Sequence, residues 1–431
     1  MRILSLSSAG NENILSALKR PTQDLKRYRD IVRPIIEAVQ QEGDSALLRF
    51  TKKFDGIDLS SISVPQILLK SAWASLSKEL RRSLETAQGA IARFHNEESS
   101  SLKPVEMTSG VNCWREMRPL QSAGLYVPGG SAPLVSTVLM LGIPAKLAGV
   151  PRIALCTPPS KDGKVPDPIL AACALVGIDE VYTIGGAQAI AALAYGTETI
   201  KRVDKIAGPG NVYVTAAKAE VSVDPEGAAI DMLAGPSELL VIADSTADPS
   251  YVAADLLSQA EHDPRSQIIF LTTSASLLSE VQSEIARQIT SLPRRDIVSA
   301  ALAGSSAIYT ETLDEAIALA DLYAPEHLCI QTKKPEEILK RIRNAGSVFL
   351  GPFSPEATGD YCSGTNHVLP TSGTARVQGG VSIRTFQKTF TAQQLTKGGL
   401  RTLRETATNL ARTEGLEAHA RAVDIRFSEK P

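Results

Sequence analysis

The stretch "ELLVIADSTADPSYVAADLLSQAEHDPRSQIIFLTT", residues 238–273, decides the fold. "ELLVIAD" is a short apolar run of strand character, and "SQIIFLTT" is another. Between them, "DPSYVAADLLSQAEH" puts Ala253, Leu256, Leu257 and Ala260 on one face of a helix. Asp248 suits the N-cap and Pro249 the first helical position. Pro264 biases its predecessor away from helix, so an end near Asp263 is expected. A strand, a covering helix and a second strand in so short a span indicate parallel pairing. Gln259 and His262 then share a face at the helix end.

The same alternation extends in both directions. Upstream, "AGLYVPGG", "RIALCTP", "EVYTIGG" and "VDKIAG" read as strands. "APLVSTVLMLGIPAKLAG", "DPILAACALVG", "AQAIAALAYG" and "GNVYVTAAKAEV" read as the helices between and after them. Downstream it continues through "TLDEAIALADLYAPEHLCIQT" and "AGSVFLG". Residues 1 to about 100 look mostly helical, with a break at Gly43 and with His95 at the polar end of a helix, expected on the surface. Residues 351–380 lack periodicity and are rich in Gly, Ser, Thr and Pro, the mark of a functional or disordered loop. The last 45 or so residues return to helix, too short and polar a piece to fold alone.

The totals remove several classes of function. With 431 residues, a net charge of −2 and 5% aromatics, nothing suggests nucleic acid or an anionic membrane. The N-terminus lacks a secretory pattern and no apolar run reaches the roughly 20 residues of a membrane span, so a cytoplasmic protein is expected. Cys113, Cys156, Cys173, Cys329 and Cys362 are scattered and odd in number, which argues against a disulfide framework and a thiolate zinc site.

Three features carry possible chemistry. Gln259 and His262 offer an oxygen and a nitrogen donor to a metal, although on the pair alone a capped helix end with a solvated histidine is the simpler reading. "YAPEHL" sets Glu326 beside His327 after a proline, where both can enter one cleft as proton acceptors or lie on a solvated loop. "YTIGGAQAI" and "KIAGPGNVYV" are strand–glycine–helix junctions whose N–H groups can receive phosphate, though neither is a G-x-G-x-x-G. Ser237 in "LAGPSELL" caps a turn or touches a ligand, and Tyr126 is either an exposed phenol near a ligand or a core residue. A zinc hydrolase and a non-catalytic nucleotide-binding module both remain compatible with these features.

The segments "GLYVPGGSAPLVSTVLML", "GGAQAIAALAYGTE", "DKIAGPGN", "IDMLAGPSELLVIAD", "DLLSQAEHDP", "TGDYCSGTNHVLPT" and "EGLEAHARAV" together resemble the histidinol dehydrogenase family, and "QEGDSALLRFTKKFDG" extends the likeness upstream. The resemblance implies NAD-dependent, four-electron oxidation of L-histidinol to L-histidine through the aldehyde, with two NAD per turnover and one zinc per subunit. It implies zinc ligands Gln259, His262, Asp360 and His419, and an acid–base pair Glu326 and His327. Ser237, His367 and Glu414 would contact substrate together with His327 and the metal ligands, and Tyr126, Gln188 and Asn211 would contact NAD. The implied fold is α/β, with two incomplete Rossmann-like domains of parallel sheet, a small helical N-terminal segment and a helical C-terminal tail. The expected boundaries are 1–25 for the N-terminal segment, 26–128 with 237–381 for the first domain, 129–236 for the second, and 382–431 for the tail. The resemblance also implies a homodimer with exchanged tails, so that His419 and Glu414 complete the partner's site.

Overall fold

A computed structural model describes residues 1–21, 24–98, 103–129 and 133–428. The chain divides into two compact units, residues 1–98 with 120–386, and residues 99–119 with 387–431.

The larger unit holds two wholly parallel sheets. The first runs Arg2–Ser5, Ser306–Tyr309, Gln267–Thr272, Glu238–Ala243, His327–Gln331, Ser347–Leu350 across its six strands. Its first strand in sequence after Arg2–Ser5 sits centrally, two successors build outward on one side and the last two on the other. The second sheet repeats this order in five strands: Glu180–Thr183, Arg152–Thr157, Ser122–Tyr126, Lys205–Ala207, Ala229–Ile230. Each is the doubly wound order, whose direction of growth reverses beside the central strand.

The opening stretch folds as its pattern requires. Leu239, Val241 and Ala243 face the helix Pro249–Ala260, while Leu240 and Ile242 face the opposite core, which includes Ala316 and Ala320 of the helix Leu313–Tyr323. Each fully buried Val, Leu or Ile contributes roughly 1.5–3 kcal/mol. Asp248 caps the helix by accepting the Ser250 N–H, with Pro249 next. The helix ends at Ala260, a few residues before the expected point near Asp263. His262 thus stands just beyond the cap rather than in the last turn.

Several expectations need correction. The strand Ser122–Tyr126 is central to the second sheet, and the helices Leu25–Glu42, Asp44–Asp55, Gln66–Ser75 and Lys78–Asn96 pack their apolar stripes into that sheet's cores. The helices within residues 26–128 thus pack on the five-stranded sheet. Amphipathic helices show that they have a partner without showing which sheet it is. Residues 1–25 likewise supply an edge strand, Arg2–Ser5, to the six-stranded sheet. His95 is buried at 1% exposure, because it continues the stripe Leu84, Ala87, Ile91. Its Nδ1 lies 3.2 Å from Glu98 and its Nε2 3.4 Å from the Asn366 amide. The helix expected from residue 132 begins at Val135, and Gly130 of the preceding glycine turn lies outside the described residues. The 351–380 stretch contains a short helix, Glu356–Tyr361.

In the smaller unit the strand Gln387–Leu395 pairs antiparallel with Val111–Pro119, which pairs with Val105–Thr108. The tail is therefore not all helix. The helices Lys397–Thr413 and Glu417–Asp424 follow, tied by Arg404 and Arg412 to Asp424, and leave Leu403, Leu410, Leu416 and Ile425 exposed. Glu414 and His419 are also exposed. Among the described residues, no helix is long and apolar enough to cross a membrane.

Candidate active site

A cavity of about 340 Å³ in the larger unit brings together Ser237, Gln259, His262, Glu326, His327, Asp360 and His367 with the turn Gly208–Asn211. This is within the usual size of a small-molecule site. Tyr126 and Gln188 are buried and do not line the cavity, and Glu414 and His419 belong to the smaller unit.

Glu326 and His327 enter the cavity at the amino end of their strand, next to the amino end of Glu238–Ala243. His327 Nδ1 donates to the Glu238 carbonyl at 3.0 Å. A carbonyl only accepts, so in the neutral ring the lone pair lies on Nε2, which is buried without a hydrogen-bond partner. Nε2 is 3.7 Å from Asp360 Oδ1 and 4.0 Å from Glu356 Oε1. The Glu238 N–H donates to Glu326 Oε2 at 2.8 Å. Burial lowers the pKa of His327, only partly opposed by the nearby Glu356 carboxylate. Burial drives Glu326 well above the ordinary carboxylate range, against the opposing N–H bond. Burial thus favours the uncharged form of both groups.

Three more groups converge here. His262 Nε2 is 3.9 Å from Asp360 Oδ2. His262, Glu356 and Asp360 each place one donor atom within 4.8 Å of the others. Both amide atoms of Gln259 and Glu356 Oε1 are buried without hydrogen-bond partners. Burial first, and then the neighbouring Glu356, raise the Asp360 carboxyl to about 9. Clustered buried carboxylates beside an orphaned amide are costly unless a cation compensates them, so the donor set fits a divalent metal with N/O ligands. Glu356 was missed by sequence reasoning. Its Oε2 accepts from Ser258 Oγ at 3.0 Å, and the signal for it was its place four residues before Asp360. His367 donates through Nδ1 to the Asp360 carbonyl at 2.8 Å and takes the Thr137 hydroxyl, 3.3 Å away, at Nε2. Burial lowers its pKa to about 4, so it stays neutral.

The opposite wall comes from the five-stranded sheet. Gly208 follows Lys205–Ala207 with φ of +128°, and a Cβ there would lie 2.1 Å from the Tyr126 carbonyl. Asn211 caps the helix Val212–Val223 by accepting from Tyr213 and Val214 N–H. Asp231 takes the Gly208 N–H at 2.7 Å and pairs with buried Lys218, which also donates to the Gly208 carbonyl at 3.0 Å. The Tyr126 hydroxyl accepts the Gly186 N–H at 3.0 Å at the head of the helix Gly186–Tyr195, and the Gln188 amide oxygen is buried without a partner nearby. Backbone-lined turns at helix amino ends suit a dinucleotide phosphate.

Two doubly wound sheets around one cavity, with a glycine turn on one wall and a histidine–carboxylate group on the other, define an α/β enzyme of the nucleotide-binding kind. Comparison with known proteins narrows this. The family model described as "Histidinol dehydrogenase" matches residues 18–427. A histidinol dehydrogenase of Vibrio parahaemolyticus is 49% identical over 430 residues, covering 100% of this chain and 99% of that one. One of Xanthomonas euvesicatoria is 49% identical over 428 residues, 99% of each. The crystal structure of histidinol dehydrogenase from Elizabethkingia anophelis superposes with a TM-score of 0.95 at 46% identity, covering 99% of this chain and 98% of that one. The chain belongs to the histidinol dehydrogenase family, NAD-dependent oxidoreductases of the final step of histidine biosynthesis.

Proposed function

We propose that this chain oxidises L-histidinol to L-histidine in two NAD-linked steps through the aldehyde. The observation that carries the reading is His327: Nδ1 is fixed on a carbonyl, and Nε2 is free inside a cavity walled by metal-competent donors on one side and a glycine turn on the other.

Gln259, His262 and Asp360 would hold zinc together with His419 of the partner subunit, and buried Glu356 stands close enough to join or support them. Zinc, when bound, supplies a fixed charge that grips the imidazole and amine nitrogens of the substrate. NAD, when bound, supplies the hydride acceptor, two molecules per turnover. Asn211 would contact it directly, while Tyr126 and Gln188 would shape the Gly185–Gly186 turn on its side. Ser237 and His367 would orient substrate, with Glu414 of the partner subunit.

His327 takes the alcohol proton at Nε2 as the first hydride leaves. Glu326 transfers the proton as water adds to the aldehyde. During that addition His327 returns its first proton to the carbonyl oxygen while Glu326 accepts one from the water, so Nε2 is free again to take the proton of the hydrate as the second hydride leaves. The amphipathic helices of the smaller unit, with Leu403, Leu410 and Leu416 exposed, support exchange of tails in a homodimer. All five cysteines are free, which suits the reducing cytoplasm.

Counting NADH formed per histidinol by the zinc-loaded protein tests the reading. Two are expected, one indicates a simple alcohol dehydrogenase, and none leaves a hydrolase or a binding module. His262→Asn should lose metal and activity together. Full activity without bound metal removes His262 from the ligand set.

A further inference from the structure

The acid–base pair is held by a residue that does not line the cavity. Glu238 uses its N–H to fix Glu326 and its carbonyl to fix His327. Both depend on where the Glu238 main chain lies, and the Glu238 side chain is itself anchored. Arg20 grips it with two parallel bonds, Nε to Oε1 at 2.6 Å and Nη2 to Oε2 at 2.8 Å. The Ser372 N–H adds a third, at 2.8 Å.

The same guanidinium also holds the turn that delivers Glu326. Arg20 Nη2 donates to the Tyr323 carbonyl at 2.7 Å and the Ala324 carbonyl at 3.2 Å, and the guanidinium lies 3.9 Å from the centroid of the Tyr323 ring. Ala324 has φ of +52°, a left-handed conformation that costs a non-glycine residue and persists only where its surroundings enforce it. Next to Arg20, the Lys19 carbonyl accepts from the Gln267 side chain, whose oxygen takes the Tyr323 hydroxyl at 2.9 Å. Residues 19 and 20 thus join the start of the strand Glu238–Ala243 to the strained turn before Glu326.

We infer that Arg20 is a positioning residue for the reaction, fixing the Glu326–His327 pair through Glu238 and the Tyr323–Ala324 carbonyls. The inference rests on the reading of Glu326 and His327 as the acid–base pair. It gives the N-terminal segment a part in turnover without any contact with ligand. Lysine cannot replace the arginine, because an ammonium cannot make the parallel fork and reach both carbonyls.

The test uses the full-length, zinc-loaded chain carrying Arg20→Ala, Arg20→Lys or His327→Ala. Displacing an acid–base pair by about 1 Å costs on the order of 100-fold in rate. Arg20→Ala should therefore lower kcat by about 10–100-fold, leave KM for histidinol and NAD within about two-fold, and recover kcat saturably on adding ethylguanidinium at concentrations that do not unfold it. Arg20→Lys should fold and remain slow, and it decides the matter if Arg20→Ala fails to fold. A kcat for Arg20→Lys equal to that of the parent, or a folded Arg20→Ala that is slow but unmoved by ethylguanidinium, overturns the inference. A normal rate for His327→Ala overturns instead the reading on which it rests.

Discussion

In the five-stranded sheet, the turn that lines the cavity leaves the carboxyl end of its strand, Gly208 following Ala207, and the Gly186 turn stands at the same end, just after Thr183. In the six-stranded sheet the lining stands at the amino ends: His327 is the first residue of its strand, beside Glu238, the first of the neighbouring strand, whose main chain anchors the pair from outside the cavity. The strand order is the same in both, so the fold did not choose the difference. At the carboxyl ends the following helices present their amino termini, with free N–H groups and positive dipole, which suits phosphate. At the amino ends the helix Pro249–Ala260 presents its carboxyl terminus, beside Gln259 and His262, and that negative end together with buried acids suits a cation. One architecture used from opposite ends thus turns helix amino ends and a helix carboxyl end with buried acids toward a single cavity. Each wall is backed by an ion pair, the buried Lys218–Asp231 on one side and the partly buried Arg20–Glu238 on the other.

If the two walls divide the labour in this way, variants should separate them. The largest effect is expected from His327→Ala, a fall in kcat of roughly 10²–10⁴-fold with KM for NAD unchanged. A matching rise in that KM in steady-state assays would show that the walls are not independent. Lys218→Met leaves Asp231 buried without its cation and should cost about 3–5 kcal/mol of stability, read from urea unfolding. NAD binding should weaken in the same variant, and replacing Asp231 with Leu as well should restore much of the stability. Asn211→Ala removes an N-cap worth about 1 kcal/mol and should raise KM for NAD while leaving KM for histidinol alone. An equal rise in both would merge the two walls.

The smallest effect belongs to His95, which serves neither wall. Burial lowers its pKa below 6.5, so the folded state keeps it neutral while the unfolded chain takes up a proton. Its contribution is therefore complete above the unfolded value and is lost as pH falls through 6.5 toward the folded one. His95→Leu should flatten that part of the stability profile, measured by melting at about pH 7.5 and pH 5.5, with kcat unchanged. An unaltered acid slope would mean that His95 does not contribute to it.

The sequence by itself determined the alternation of strands and helices, the cap at Asp248, and the Gln259–His262 and Glu326–His327 pairs. These depend on neighbours within a turn or two, and periodicity reports such neighbours. The resemblance reached further, to Asp360 and His367, which the fold brings into the same cavity. Only the tertiary structure decided which sheet the helices of residues 25–96 cover, that His95 is buried, that Glu356 joins His262, and that Arg20 meets Glu238 across 218 positions of chain. An apolar stripe or a lone charge states that a partner is needed. Which partner it receives depends on how distant segments close upon one another, and no local pattern encodes that.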